Sequence, residues 1–324
     1  MLKIFVAAVV CAMLSCAAPA GSIDAGAVSP EARVVGYVFT RSGWDKVIDK
    51  IRWNRLTDIN LAFIHPDAAG RFTDDPGLKQ LVDAAHQHNV RVFISIGGGS
   101  PPEHLAMLVQ TNPDGLASEL IRFAKRYSVD GVDIDLENAL INEHYPGFVH
   151  AVKREAMKQQ VLVTAALASW NASAIPDSTL HTYDFINVMS YDKTGPWNKA
   201  RPGQHSPFSM AADDFSYFNS RGVTPGKIII GLPFYGYGFG PGAPESLNYG
   251  EIINRYKDAS LTDSIQMTEG GWLYYNGAET IREKVNLARD KQAGGVMIWQ
   301  VFGDAEGEHS LLDIIHRSLQ EVKR

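Results

Sequence analysis

The chain has 324 residues, of which 45% are hydrophobic and 20% are charged, and its formal net charge is -6. This composition is that of a globular protein long enough for one large domain or two small ones, and a negative charge without a basic cluster argues against nucleic acid as a partner. The two cysteines, Cys11 and Cys16, both lie near the start of the chain, so the main part of the protein has neither a disulfide nor thiolate chemistry.

The first 20 residues are typical of an export signal. An apolar run over residues 4–14 is too short to span a membrane, and small residues follow it as far as Ala20. Two endings of the signal remain open: cleavage after Ala20, or attachment of a lipid to Cys16, because residues 13–16 resemble a bacterial lipobox with methionine where leucine is more usual. The second is favoured and predicts membrane anchoring through Cys16. The protein is therefore expected to be exported, either to a bacterial cell envelope as a lipoprotein or as a secreted protein.

Residues 21–30 are small and turn-rich, which predicts a tether between the signal and a folded domain over residues 31–324. In that domain short β-rich runs alternate with helical stretches such as residues 76–88 and 114–127. The predicted strands are residues 33–39, 58–64, 90–96, 129–136, 161–167, 185–191, 227–232 and 295–299. Strict alternation indicates parallel strands, and eight such units predict an α/β fold, a single-domain (β/α)8 TIM barrel, rather than an open doubly wound sheet.

The fourth predicted strand carries a row of acids. Over residues 130–137 apolar residues alternate with carboxyl-bearing ones, which include Asp133, Asp135 and Glu137. On a strand these three side chains share one face and lie roughly 7 Å apart, so their repulsion in a water-poor site raises at least one pKa. One of them is expected to hold a proton near neutral pH, as a general acid requires. A calcium site or a solvated edge strand is the alternative, but calcium loops place their acids on glycine-rich turns, whereas here the intervening residues are apolar.

Other predicted strands end in residues suited to binding a sugar. In a barrel of this type the chemistry lies at the carboxyl ends of the strands, and Glu137 lies just past the end of the fourth. The third strand ends in the glycines of residues 95–99, which match no phosphate-loop motif and instead let backbone and sugar approach closely. The sixth ends in residues 189–192, with a phenol and a carboxylate, and the eighth ends in Trp299, which can stack under a sugar ring. These positions converge on one mouth.

Along nearly the whole predicted domain, the sequence resembles glycoside hydrolase family 18, the chitinases and their relatives. Residues 130–137 match the family signature D-G-x-D-x-D-x-E without a mismatch. Residues 95–98 resemble its S-x-G-G on strand three, residues 189–192 its M-x-Y-D on strand six, and residues 231–236 its strand-seven segment. Trp299 resembles the tryptophan that floors the family's central subsite.

This resemblance implies substrate-assisted hydrolysis with net retention. Glu137 would protonate the glycosidic oxygen, while the acetamido group of N-acetylglucosamine attacks its own anomeric carbon to form an oxazolinium ion. Asp135 would orient that group and support its positive charge, Tyr191 would hold its oxygen, and Asp133 would support the catalytic residues. The implied substrate-binding residues are Ser95, Tyr37, Gly98, Met189, Asp192, Tyr235 and Trp299.

The resemblance implies neither a metal nor a cofactor. The chain contains 10 histidines, but their positions, including His86 and His88 on a predicted helix, suggest no ligand set. We expect a monomer that binds an oligo- or polysaccharide containing N-acetylglucosamine.

The sequence departs from the familiar chitinase pattern in two places. Gly99 and Ser100 stand where many members carry an aromatic residue on the leaving side. Only about sixty residues separate Leu232 from Gly295, and the predicted return helix over residues 278–291 takes up much of them. Many members insert a sizeable α+β module here that deepens the cleft, and because this segment is short we expect a shallow cleft.

Three functions remain open. A chitinase-like hydrolase of β-1,4 linkages is preferred over an endo-β-N-acetylglucosaminidase that acts on the N-glycan core or on peptidoglycan-type linkages. The loops at residues 99–103 and 197–207 are expected to separate these two, because they should lie on the leaving side. A non-catalytic sugar-binding relative is the third, and the presence of Glu137 argues against it.

Overall fold

Short apolar runs form the parallel barrel that the sequence predicts. The computed structural model describes residues 32–321. Its strands are β1 (Arg33–Phe39), β2 (Asp58–Ala62), β3 (Arg91–Gly98), β4 (Gly131–Leu136), β5 (Leu162–Leu167), β6 (Phe185–Val188), β7 (Ile228–Pro233), β8 (Tyr235–Phe239), β9 (Ser246–Asn248), β10 (Ser264–Gln266), β11 (Trp272–Tyr274) and β12 (Gly295–Trp299). Strands β1 to β7 and β12 close into one barrel, in which β1 pairs in parallel with both β2 and β12. The prediction of a (β/α)8 barrel is confirmed.

Helices cover the outside of this barrel. They are α1 (Pro76–Gln87), α2 (Glu103–Thr111), α3 (Pro113–Tyr127), α4 (Tyr145–Gln159), α5 (Ser169–Ala172), α6 (Asp177–Leu180), α7 (Phe208–Ser220), α8 (Tyr249–Arg255), α9 (Ala278–Asp290) and α10 (Leu311–Gln320). Helix α1 shows the local causes: Asp75 caps it by accepting hydrogen bonds from the amides of Gly77 and Leu78, Pro76 begins it, and one face is buried.

Two apolar layers hold the barrel together. The outer layer packs the helices against the outward side chains of the strands. The inner layer fills the barrel with inward side chains, including Val35, Phe93, Phe185, Ile229 and Met297. The interior is therefore a packed core rather than a pore, which confines a ligand to the mouth.

A second, antiparallel sheet follows the seventh barrel strand. Its order is β10-β11-β8-β9, and helix α8 lies between β9 and β10 along the chain. This sheet was not predicted from the sequence, because strands of three to five residues produce a weak pattern. The alternation of glycine with aromatic residues over 235–239 was the available signal.

Two barrel strands end earlier than predicted. Strand β2 ends at Ala62 and β6 at Val188, whereas the predictions extended to residues 64 and 191. After β6 the amide of Ser190 bonds to the carbonyl of Val188, so the chain turns there instead of continuing the ladder.

The predicted export signal, the tether and Cys16 lie outside the described residues. Between residues 32 and 321 no helix is long and apolar enough to cross a bilayer.

Candidate active site

Asp133 lies at the centre of a hydrogen-bond network inside the barrel. Its Oδ2 accepts hydrogen bonds from the hydroxyls of Tyr37 (2.7 Å) and Ser95 (2.8 Å), and its Oδ1 accepts from the hydroxyl of Thr164 (2.6 Å) and Nδ2 of Asn187 (3.2 Å). Parallel register explains part of this, since Asp133 stands beside Ser95 on one neighbouring strand and Thr164 on the other. Burial raises the pKa of Asp133, and the four donors oppose that rise. Asp133 is thus a fully satisfied acceptor that ties five strands together.

Asp135, two residues further along β4, is buried without such partners. Its residue is 3% exposed, and its Oδ1 has no hydrogen-bond partner among the described residues. Burial, and then the charges of Glu137 and Asp133, raise the pKa of Asp135 well above its ordinary value. A buried carboxyl oxygen left unpaired is costly, and such groups are found where a ligand or a catalytic step supplies the partner.

Glu137 stands just past the end of β4, half-buried at the mouth. Burial, and then the charge of Asp192, raise the pKa of Glu137 to about 7. Gly99, just past the end of β3, lies beside this carboxyl, since a Cβ added to Gly99 would be in ordinary contact with Oε1 of Glu137 at 3.6 Å. Both residues line an open cleft. A carboxyl that holds its proton near neutral pH at an open rim can act as a general acid.

The two glycines that end β3 are required by close packing. Gly97 and Gly98 have φ of +120° and +83°, and a Cβ on Gly97 would collide with the carbonyl oxygen of Asp135. A Cβ on Gly98 would collide with the ring of Phe63. The side of Gly98 on which a side chain would stand is therefore filled by Phe63, and contact between Gly98 and a substrate stays a prediction.

Aromatic rings surround Trp299 at the end of β12. The Trp299 ring centroid lies 5.5 Å from that of Tyr37, 5.7 Å from that of Phe63 and 6.1 Å from that of Phe39. The rings of Trp299 and Phe63 are nearly parallel, at 24°. Trp299 and Tyr37 were predicted from the sequence. Phe39 and Phe63 were not, because their only signal was their position at the ends of the first two strands.

The residues after β6 form the opposite side of the mouth. The hydroxyl of Tyr235 donates a 2.5 Å hydrogen bond to Oδ1 of Asp192, and Nδ1 of the buried His205 lies 3.4 Å from the same oxygen. Burial and the nearby carboxyls raise the pKa of Tyr191 well above its ordinary value, so its hydroxyl stays a donor. Met189 is buried in the inner layer beside Tyr191 and Tyr235. His205 was missed because its contacts with the site, to Asp192 and to the rings of Tyr235 and Tyr237, join segments that are distant along the chain or were not predicted to meet.

A cleft of about 1070 Å³ continues from Glu137. Gly99, Ser100 and Trp197 line it, so residues of both loops expected on the leaving side border this cleft, and their leaving-side role stays a prediction. Trp170, which follows β5 and was not predicted, lines it too. Trp170 and Trp197 are 56% and 63% exposed. They give the cleft exposed aromatic rings, even though no aromatic residue directly follows Gly98. Tyr237 of β8 also lines the cleft, so the second sheet supplies part of its wall.

The structure thus brings all the predicted site residues to the barrel interior or its mouth. The two ends of the acid row on β4 differ. The carboxyl of Asp133 accepts four hydrogen bonds, whereas that of Glu137 is half-buried and lines the cleft. Within residues 32–321, no group of three or more His, Cys, Asp or Glu side chains is arranged to hold a metal ion.

Comparison with known proteins points to one family. The family model described as "Glycosyl hydrolases family 18" matches residues 33–304. Among solved structures, the chitinase ChiB from the chitin utilization locus of Flavobacterium johnsoniae is 33% identical, with a TM-score of 0.78 over 89% of this chain and 94% of that one. A chitinase from Bacteroides thetaiotaomicron is 28% identical, with a TM-score of 0.77 over 89% of this chain and 96% of that one. A "chitinase-like effector" of Moniliophthora roreri is 25% identical over 61% of this chain, and the match spans 57% of the effector's length.

Proposed function

The chain belongs to glycosyl hydrolase family 18, and from that premise we propose that it is a retaining hydrolase of β-1,4 linkages after N-acetylglucosamine, in chitin or chitooligosaccharides. The observation that carries the proposal is the contrast among the three acids of β4. Asp133 accepts four hydrogen bonds, Asp135 keeps a buried oxygen without a partner, and the raised pKa of Glu137 is about 7. One carboxyl is therefore held in place, one is free to take a ligand group, and one can deliver a proton.

In the first step Glu137 gives its proton to the glycosidic oxygen as the bond to the anomeric carbon breaks. The carbonyl oxygen of the substrate's acetamido group attacks that carbon and closes an oxazolinium ring. The acetamido N–H donates to the unpaired Oδ1 of Asp135, and the hydroxyl of Tyr191 donates to the acetamido oxygen. Charge develops in a buried site, where such preorganised polar groups act most strongly.

In the second step water attacks the anomeric carbon from the face that the leaving group vacated. Glu137, now ionised, takes the proton of that water, and the ring opens to restore the acetamido group. Two inversions give net retention, and Glu137 is protonated again.

The rings around Trp299 support the binding part of the proposal. Trp299 offers an apolar face at the bottom of the mouth, and its neighbours Tyr37 and Phe63 hold its orientation. A pyranose has apolar C–H faces and a polar rim, so an aromatic floor combined with convergent polar groups suits it.

A non-catalytic sugar-binding protein is the rival from another class. It has no need for a half-buried carboxyl with a pKa of about 7 next to an unpaired buried acid, since both arrangements cost stability and serve proton transfer. The states of Glu137 and Asp135 therefore favour the hydrolase.

The test is mass spectrometry of the products from chitooligosaccharides, high-mannose glycopeptides and muropeptides incubated side by side. We expect cleavage of chitooligosaccharides, with the β-anomer of the new reducing end appearing first by NMR. Cleavage of the glycopeptides or muropeptides alone would replace the chitinase-like assignment by an endo-β-N-acetylglucosaminidase. An α-anomer as first product would contradict the retaining mechanism.

We also propose that the protein is exported, with a lipid on Cys16 as the favoured ending of the signal. The apolar run and the lipobox-like residues 13–16 support this. The mass of the mature amino-terminal peptide distinguishes a lipid-modified Cys16 from an unmodified end produced by cleavage after Ala20.

A further inference from the structure

One face of the second sheet carries four aromatic side chains, of which Trp272 is exposed, two are partly buried and Phe239 is buried. Trp272 pairs with Phe239 across the sheet, and Tyr274 pairs with Tyr237. Directly opposite residues and residues two apart share a face, so all four rings lie on the same side. We call these four residues the aromatic strip. The other face carries Leu273, which is fully buried against the core. Within the aromatic strip, Tyr237 packs against the inner layer of the barrel, whereas Trp272 lies at the exposed end.

Three rings of the aromatic strip, those of Phe239, Tyr274 and Trp272, form a series. The Phe239 and Tyr274 centroids are 6.0 Å apart, and those of Trp272 and Tyr274 are also 6.0 Å apart with an interplanar angle of 18°. Trp272 is 37% exposed, which is unusual for a tryptophan within a small sheet. Burial on folding does not explain an indole at this position.

The aromatic strip is connected to the catalytic cleft. The rings of Tyr237 and Trp197 lie 5.2 Å apart, and both residues line the cleft that contains Glu137. Both also line a second groove of about 860 Å³, which Phe239 and Ser246 line as well. The cleft and the second groove therefore adjoin at Trp197 and Tyr237.

Polar side chains border the aromatic strip on both edges. Ser264 stands opposite Tyr274 and Gln266 opposite Trp272, while Ser246 stands opposite Tyr237 on the other edge. None of these three side chains has a hydrogen-bond partner within residues 32–321, so their hydroxyl and amide groups are available. Lys199 and Glu245 in the second groove have opposite charges, which gives no preference for an ionic ligand.

We propose that the aromatic strip and the second groove bind the part of a neutral sugar chain that extends beyond the catalytic cleft. The identity of the sugar rests on the proposed function, and the occupant is the far end of the same N-acetylglucosamine chain whose other end lies at Glu137. Rings flanked by uncharged hydrogen-bonding groups fit successive pyranoses, whose faces are apolar and whose rims carry hydroxyl and amide groups. Long chains are consequently held more tightly than chains that fill the cleft alone.

The experiment measures affinity in the full chain carrying Glu137→Gln, so that no turnover occurs. Calorimetry compares chitotriose with chitohexaose for this protein and for the same protein with Trp272→Ala and Tyr274→Ala added. We expect the two added substitutions to weaken chitohexaose binding roughly tenfold, because each removed ring takes away a stacking contact. Affinity for chitotriose should change less than about twofold. Trp272→Phe in place of Trp272→Ala should restore much of the difference in affinity between chitohexaose and chitotriose.

Leu261→Ala is the matched control, since Leu261 is 80% exposed in the same insertion but lies outside the aromatic strip. It should leave both affinities unchanged. If the double variant does not fold, as judged by its melting curve, the single exposed substitution Trp272→Gln provides the same comparison.

Three results would overturn the proposal. One is unchanged chitohexaose affinity in the aromatic-strip variants, and another is an equal loss for both sugars. The third is a dimer of the unsubstituted protein that dissociates in these variants without any change in sugar affinity, which would assign the aromatic strip to a second copy of the chain. The proposed function is tested separately. If the unsubstituted protein hydrolyses none of the substrates but binds chitohexaose through the aromatic strip, the hydrolase proposal is wrong and the present proposal stands.

Discussion

The hydroxyl of Tyr235 donates a 2.5 Å hydrogen bond to Oδ1 of Asp192 at the mouth of the barrel. This contact joins the start of the second sheet to the loop after β6 and holds the Asp192 carboxyl near Glu137. The charge of Asp192 contributes, after burial, to the raised pKa of Glu137. A residue outside the acid row of β4 therefore helps to set the pH range in which the proposed acid keeps its proton.

Asp192→Asn is expected to lower the pKa of Glu137. Removing the negative charge makes ionised Glu137 less unfavourable, so Glu137 loses its proton at a lower pH than the present value of about 7. The alkaline limb of the kcat/KM profile should move to lower pH, while asparagine can still accept the hydrogen bond from Tyr235. Asp213→Asn is the control, because Asp213 lines the same cleft but is not a cause of the shift at Glu137. A limb that stays in place in Asp192→Asn contradicts the electrostatic coupling.

Glu137→Gln is expected to preserve folding and sugar binding but to lower kcat by several orders of magnitude. Loss of an essential proton donor typically costs about 10² to 10⁴-fold or more. Steady-state rates on an aryl chitobioside, together with chitotriose affinity and a melting curve, separate loss of chemistry from loss of structure. Turnover close to that of the unsubstituted protein would show that another group donates the proton.

Asp135→Asn is expected to be nearly as damaging as Glu137→Gln. The substitution removes the acceptor proposed for the acetamido N–H, and it also removes a carboxyl whose pKa is coupled to Glu137. Both the rate and the shape of its pH profile should change. Ser95→Ala is a milder comparison, since it removes only one of the four donors to Asp133. An unaltered pH profile in Asp135→Asn would refute the coupling along β4.

The substrate's 2-acetamido group is expected to be indispensable. Asp133 and Asp135 share β4 with Glu137, so neither stands on the opposite face of the sugar, where a protein nucleophile would be needed, and we expect the substrate to bring its own. Matched aryl glycosides of chitobiose and cellobiose should bind with modestly different affinity yet react at very different rates, because the lost interaction belongs to the transition state. A chitobiose thiazoline should compete far more strongly than the substrate. Trapping of a covalent glycosyl-protein by a fluorosugar would exclude this mechanism.

Lys284 of α9 is expected to make folding stability depend on pH. Its ammonium group is fully buried and donates to the carbonyl and hydroxyl oxygens of Ser206 and to Oδ1 of Asn276, and burial lowers the pKa of Lys284 from about 10.5 to about 7. Between these two pKa values Lys284 holds a proton in the unfolded chain but not in the folded chain. The contribution of Lys284 to the free energy of unfolding therefore rises with pH above about 7. Urea unfolding at pH 7 and pH 9 should show this rise in the unsubstituted protein and in the exposed control Lys79→Met, but less of it in Lys284→Met.

Local patterns in the sequence determined the framework of this protein. Alternation of short apolar runs with helical stretches predicts eight parallel strands, because hydrophobic periodicity is a property of neighbouring residues. The order Asp133, Asp135, Glu137 on β4 follows from the two-residue period of a strand in the same way. The positions of residues 95–99, 189–192 and Trp299 at strand ends then follow from the rule that parallel strands of a barrel end at one mouth.

Tertiary structure alone decided which side chains meet at that mouth. The four donors to Asp133 come from four different strands, and their meeting depends on barrel closure and register, which no local pattern contains. The same holds for Phe63 beside Trp299 and for Trp170 in the cleft. The raised pKa of Glu137 required burial and the charge of Asp192, fifty-five residues away in the chain. Spacing along β4 predicted that one acid holds a proton, but the free energy of desolvation, which only the folded environment sets, determined which acids do so.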